Sequence, residues 1–315
     1  MNLLARSLVA AAFATLVVGC TASTSNNTVN TSKSASIIGG TDVAEGSTLH
    51  KSIVGIYDME RGALCTGSLL ENNVVLTAAH CIGGKAEDHL IVFAADMLSV
   101  FKSQDREFFL SKVRRANKVV VNTEWGKDHA NGDAWGDTAV LQFTGTVPAG
   151  FEPAKMMEPG TLVENAIVTV AGYGVNSDIL TEVLPADHPD FEEKVKTGEF
   201  FCEQNEDGSL GKCYKEEVSG EGLLRTTELT NLGYYNDTEA VFDQQYGKAS
   251  CEGDSGGPAY VQVNGEYRLF GVTSRGTRGC NGYVVYSDVT TPKLAAWLTD
   301  AKAELNSTPT QLELF

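Results

Sequence analysis

From Ile37 onward, short runs rich in Val, Ile and Thr recur along the chain, parted at close intervals by turn-forming residues, and little of the apolar pattern follows a helical period. Such a pattern predicts an all-β chain built from antiparallel strands. Asn73-Val74-Val75-Leu76-Thr77 is an apolar, β-branched run that reads as a buried strand. Ala139-Val140-Leu141-Gln142-Phe143 reads as a second strand with alternating apolar positions. The pattern changes near the end, where Pro292-Lys293-Leu294-Ala295-Ala296-Trp297-Leu298 opens a helix, with Pro near the first turn and apolar residues at helical spacing.

The first 36 residues have a different texture. An Ala/Leu/Val run from Leu8 to Val18 follows the single basic residue Arg6; it is short for a membrane span and fits a secretory signal over residues 1–19. The ending Val17-Val18-Gly19-Cys20 resembles a bacterial lipobox, which implies a diacylglyceryl group on Cys20 and anchoring to a membrane. Residues 21–36 are almost wholly small and polar, cannot bury apolar surface, and are expected to form a flexible tether or propeptide. A globular domain over 37–305 and a tail over 306–315 complete the organisation.

Charge narrows the function. All 41 acidic residues lie after residue 36, against 22 basic ones there, so this part carries a net charge of −19. That disfavours nucleic acid and adhesion by charge to anionic membrane surfaces. Setting Cys20 aside leaves six of the seven cysteines, enough for three disulfides in an oxidising compartment, with fifteen pairings open.

The chemistry is concentrated in three places. Ser250-Cys251-Glu252-Gly253-Asp254-Ser255-Gly256-Gly257-Pro258 sets a serine among glycines on a turn, where substrate backbone can approach and the amides of Gly253 and Ser255 can converge on an oxyanion. A serine hydroxyl needs a base and a group to orient that base. Thr77-Ala78-Ala79-His80-Cys81 supplies the base where a strand ends, and Gly136-Asp137 supplies the acid at the mouth of another strand. Asp128 and Asp133 compete with Asp137 for this role. His50, His89, His129 and His188 stand in no motif.

The order His80, Asp137, Ser255, with these three local motifs, resembles the chymotrypsin-like (trypsin-fold) serine endopeptidases. The resemblance covers nearly everything after residue 36. It implies two six-stranded antiparallel Greek-key β-barrels, about 37–150 and 151–290, followed by a C-terminal α-helix. It makes Ser255 the nucleophile, His80 the general base and Asp137 the buried acceptor that fixes the imidazole tautomer. It pairs Cys65 with Cys81 and Cys251 with Cys280, leaving Cys202 and Cys213 to staple a local loop.

Ile37-Ile38-Gly39-Gly40 resembles the amino terminus created when family zymogens are cut, which implies that a free amine on Ile37 pairs with Asp254. The preceding residue is Ser36, so a trypsin-specific activator is not implied. Family alignment puts Ala249 at the floor of the specificity pocket and Ser274, Gly276 and Val284 on its walls. With no carboxylate at the floor and Val284 shortening the cavity, small or medium apolar residues are expected on the acyl side. Arg275, Arg278 and Lys248 raise the alternative of an acidic substrate residue. Compared with a minimal family member, the chain has extra length between His80 and Asp137 and again over 176–240, the latter expected to be a solvated acidic excursion. A monomer acting on proteins or peptides, with no metal or organic cofactor, is the expectation; the competing one is a non-catalytic binding protein on the same scaffold.

Overall fold

A computed structural model describes residues 37–127, 135–205 and 207–307. The signal and tether segments, including Cys20, and the rivals Asp128, His129 and Asp133 lie outside the described residues.

The chain enters along a short strand, β1 (Thr41–Asp42), and then builds a closed barrel from β2 (Ile53–Asp58), β3 (Ala63–Leu70), β4 (Val74–Thr77), β5 (His89–Val92), β6 (Val113–Val121) and β7 (Ala139–Phe143). Neighbours run in the order β2-β3-β4-β7-β6-β5, all antiparallel, and β5 closes back on β2. All four residues of β4 are buried, as an unbroken apolar run requires. β7 departs from the expected alternation: only Gln142 is half-exposed. Its outer face is covered by the final helix, α4 (Pro292–Ser307), whose Leu298, Ala301 and Leu305 join the first barrel's core. Lys118 of β6 donates to the Leu305 carbonyl at 2.6 Å and fastens the helix end. The extra length before Asp137 carries two short helices, α1 (Met97–Lys102) and α2 (Arg106–Lys112), capped by Asp96 and Asp105.

β8 (Ile167–Gly172) begins the second barrel, and an insertion follows at once: β9 (Ser177–Val183), α3 (Phe191–Thr197), β10 (Phe200–Gln204) and β11 (Leu210–Ser219). The barrel resumes with β12 (Arg225–Asn236), β13 (Glu239–Asp243), β14 (Pro258–Val263), β15 (Glu266–Gly276) and β16 (Tyr283–Asp288). Six strands close in the order β8-β14-β15-β16-β13-β12, with β12 returning to β8. The two barrels and the C-terminal helix agree with the expected fold.

Two features differ from the sequence reading. Residues 225–240 belong to the barrel rather than to the excursion, and the excursion itself is a three-stranded sheet, β10-β11-β9. Val183, Phe191, Phe200 and Cys213 give it a small core beside the Cys202–Cys213 disulfide. Four buried groups among so many carboxylates leave no strong periodic signal. The second difference concerns the amino-terminal strap. Thr41 pairs with Thr226 and Ile38 with Ala249, so residues 37–42 dress the second barrel rather than the first, and Ile37 is fully buried in the second barrel's core.

Candidate active site

β4 ends at Thr77 and the chain makes one tight turn, Ala79–Cys81, that carries His80. The Cys65–Cys81 disulfide ties this turn to β3. Arg61 holds it from the other side, donating to the carbonyls of His80 (3.2 Å) and Cys81 (2.6 Å). Its Nε in turn bonds buried Asp58 at 2.6 Å. Burial alone would raise the Asp58 carboxyl, but hydrogen bonds from Arg61 and from the Glu60 amide hold it below its ordinary value.

Asp137 follows Gly136, whose φ of +81° turns the chain into β7. Its carboxylate is wholly buried and meets three donors: the His80 amide at 3.0 Å, His80 Nδ1 at 2.8 Å and Ser274 Oγ at 2.6 Å. Ser287 Oγ donates to the Asp137 carbonyl at 3.3 Å. With Nδ1 committed as a donor to a carboxylate, Nε2 is left as the ring's acceptor. The Trp125 ring stands 6.3 Å from the imidazole.

The serine turn presses against the first barrel. Gly253 and Gly256 have φ of +88° and +79°, and a Cβ on Gly256 would fall 2.0 Å from Thr77 Oγ1 and 2.4 Å from the Thr66 carbonyl. Thr66 grips the turn twice, its amide donating to the Ser255 carbonyl (2.8 Å) and its hydroxyl to the Gly253 carbonyl (2.9 Å). Cys81 Sγ lies 4.0 Å from His80 Nε2 and 3.5 Å from the Ser255 carbonyl oxygen, so imidazole and serine flank one sulfur. Among the described residues, the amides of Gly253 and Ser255 donate no hydrogen bond, whereas those of Asp254, Gly256 and Gly257 all do. A pair of uncommitted amides beside a serine is what an oxyanion site requires.

Asp254 points inward. Its carboxylate accepts from the amides of Gly174 (2.8 Å) and Cys251 (2.9 Å). Desolvation pushes its pKa up to about 7, with those two bonds and the more distant Arg225 charge working the other way.

A cavity of about 250 Å³ opens beside Ser255. Ser250, Ser274, Gly276 and Val284 are among the residues that line it, the Ser250 hydroxyl 2.6 Å from Tyr286 OH. Ala249 donates its amide to the Ile38 carbonyl at 3.0 Å, anchoring the strap. The Cys251–Cys280 disulfide joins the serine turn to the far wall. The β14 ladder on β15 ends at Val272, short of the Ser274–Gly276 segment.

Several residues of this site carry no signal in the sequence. Asp178 and Glu216 come from β9 and β11 of the insertion and join Glu252 at the cavity's rim. Burial, then the charges of Glu216 and Glu252, raise Asp178 to about 6. Both arginines of the cavity are paired: Arg278 with Glu216 at 3.0 Å, and Arg275 with Glu239 through two bonds of 2.6 and 2.8 Å. The remaining described histidines are structural. His50 packs on Phe151, His188 on Phe200, and His89 lies over the carbonyls of Lys85 and Ala86.

The family model for trypsin matches residues 37–188 and 203–298, and the gap takes in α3 and the first part of β10 of the insertion. Curated relatives include chymotrypsin-like elastase family member 1 of Homo sapiens, 25% identical over 260 residues that span 78% of this chain and 84% of that protein. The Bos taurus protein of the same name is 26% identical over 260 residues, spanning 78% of this chain and 82% of its own length.

Proposed function

The chain belongs to the trypsin family, and we propose that it is a serine endopeptidase acting outside the cytoplasm through an acyl-enzyme on Ser255. The observation that carries this is the buried Asp137 carboxylate bonded to His80 Nδ1 at 2.8 Å, which leaves Nε2 to serve the serine turn. Nε2 takes the Ser255 proton as Oγ attacks the peptide carbonyl, and the oxyanion settles between the amides of Gly253 and Ser255. His80 then returns the proton to the departing amine, and a water activated by the same nitrogen releases the acid product and restores Ser255.

On the acyl side the enzyme prefers small or medium apolar residues. Val284 and Ser250 bound a small cavity, and no carboxylate stands at position 249. The pairing of both Arg275 and Arg278 argues against selection of acidic residues. The backbone of Ser274–Gly276 offers an open edge for an extended peptide.

The enzyme is made as a zymogen cut before Ile37. Asp254 is buried against two amides with its carboxyl raised, the electrostatic state that a nearby ammonium would relieve, and Ile37 lies in the same barrel's core. Three disulfides accord with an oxidising compartment. Cleavage at Ser36–Ile37 separates the protease domain from a lipid on Cys20, so activation releases it from the membrane. The active protein is therefore expected to begin at Ile37 and to carry no lipid. Ser255→Ala should lower hydrolysis of apolar peptides by on the order of 10⁶ while leaving the melting temperature unchanged. Hydrolysis that survives this substitution would overturn the proposal.

A further inference from the structure

Between Ser274 and Gly276 stands Arg275. Its guanidinium forks onto Glu239, whose carboxylate is fully buried and takes a third bond from Asn236 Nδ2 at 2.8 Å. A fork of this kind is rigid and specific, and leaving the buried Glu239 carboxylate without its partner is strongly unfavourable.

The pair leads directly to the candidate acid. Arg275 also donates to Ser274 Oγ at 3.3 Å, and Ser274 Oγ donates to Asp137 Oδ2 at 2.6 Å. A hydroxyl that accepts from a guanidinium has its proton turned away from it, here toward Asp137. Glu239 faces Ser287 across the β13–β16 ladder, and Ser287 Oγ donates to the Asp137 carbonyl. Both serines that touch Asp137 therefore stand beside a member of the pair.

We infer that Arg275 and Glu239 form a charge-balanced positioning device. Arg275 locks the Ser274 hydroxyl as a donor to Asp137, and Glu239 cancels the cation so that Asp137 and His80 receive the orientation without a net field. Among the described residues, Asp137 itself and Arg61, which is held at the His80 carbonyl and compensated by Asp58, also stand near the imidazole. This inference rests on the roles proposed above for Asp137 and His80, but its first test needs no activity.

The His80 ring titration is followed by NMR in the full chain with labelled histidine, its signal assigned by H80Q. In E239Q the lone Arg275 cation disfavours the imidazolium, and the titration moves to lower pH by about half a unit. In R275Q the lone Glu239 anion moves it to higher pH by about as much. Should one variant fail to fold, the sign in the other decides. In R275Q/E239Q the titration returns toward that of the parent, while kcat falls several-fold because the Ser274 hydroxyl is no longer locked. The acid limb of kcat/KM shifts with the NMR titration. Shifts of the same sign in both single variants, an unmoved titration, or a double variant with the parent's kcat would each overturn the inference. A parent chain without peptidase activity would instead overturn the function proposed above and leave the titration test standing.

Discussion

The half of the site carried by the first barrel is electrostatically complete, and the half carried by the second is not. On the first side, Asp58 is held by Arg61, and Asp137 meets two donors from His80 and a third from Ser274 of the second barrel. On the second, Asp254 is buried against two amides with its carboxyl raised to about 7. In the proposed enzyme the part that is complete as folded suits the base, and the part short of a cation is the one that a new amine completes. Under the function proposed above, control belongs to the serine turn and chemistry to the histidine turn.

The largest expected effect tests the first half. Asp137→Asn should keep the geometry but reverse the preferred tautomer, lowering kcat by about 10⁴-fold with little change in side-chain preference on the acyl side. A fall of only a few-fold would remove the asymmetry, because the base would then not depend on its acid.

Next comes the incomplete half. In the uncut chain Asp254 has a folded value above its unfolded one, so its neutral form stabilises the fold below about pH 4 and that contribution is lost as pH rises through about 7. Urea unfolding of uncut S255A against S255A/D254N should diverge across this window by roughly 4 kcal/mol, with the Asn protein the less pH-sensitive. After cleavage before Ile37 the divergence should shrink or reverse, since the amine favours the carboxylate. Parallel curves in the uncut protein would mean that Asp254 is already compensated.

A third change strikes the seam between the halves. Gly256→Ala would drive its Cβ into Thr77 Oγ1 and the Thr66 carbonyl while straining a φ of +79°, costing about 2 kcal/mol or more of stability, measured by thermal melting. The smallest expected effect lies in the pocket. Val284→Gly should move acyl-side preference toward larger apolar residues by about 10-fold in relative kcat/KM, read from a peptide library. Selection of Lys or Arg by the parent enzyme would instead show that the rim carboxylates, not the Val284 wall, govern the pocket.

What the sequence revealed follows the same divide. His80, Asp137 and the Ser255 turn were legible because each lies in a contiguous motif whose neighbours serve the same residue. The barrels were legible as β structure from runs such as Val74–Thr77, but their closure came only with the family resemblance. Arg61, Glu239, Asp178 and Glu216 were not legible. Glu239 meets Arg275 through the fold rather than along the chain, and Glu216 looks like its exposed neighbour Glu217 until β11 turns one inward and the other out. The pairing of Ala249 with Ile38 was hidden for a related reason: no local pattern announces a partner so far back in the chain.

The amino-terminal strap has a consequence for how the molecule comes into being. All six strands of the first barrel are made by the end of β7, but Ile38 and Thr41 must wait for Ala249 and Thr226, which are made most of a domain later. Such a connection has high contact order and forms late. A nascent or truncated chain can thus hold the strands of the first barrel while its amino-terminal strap hangs undocked.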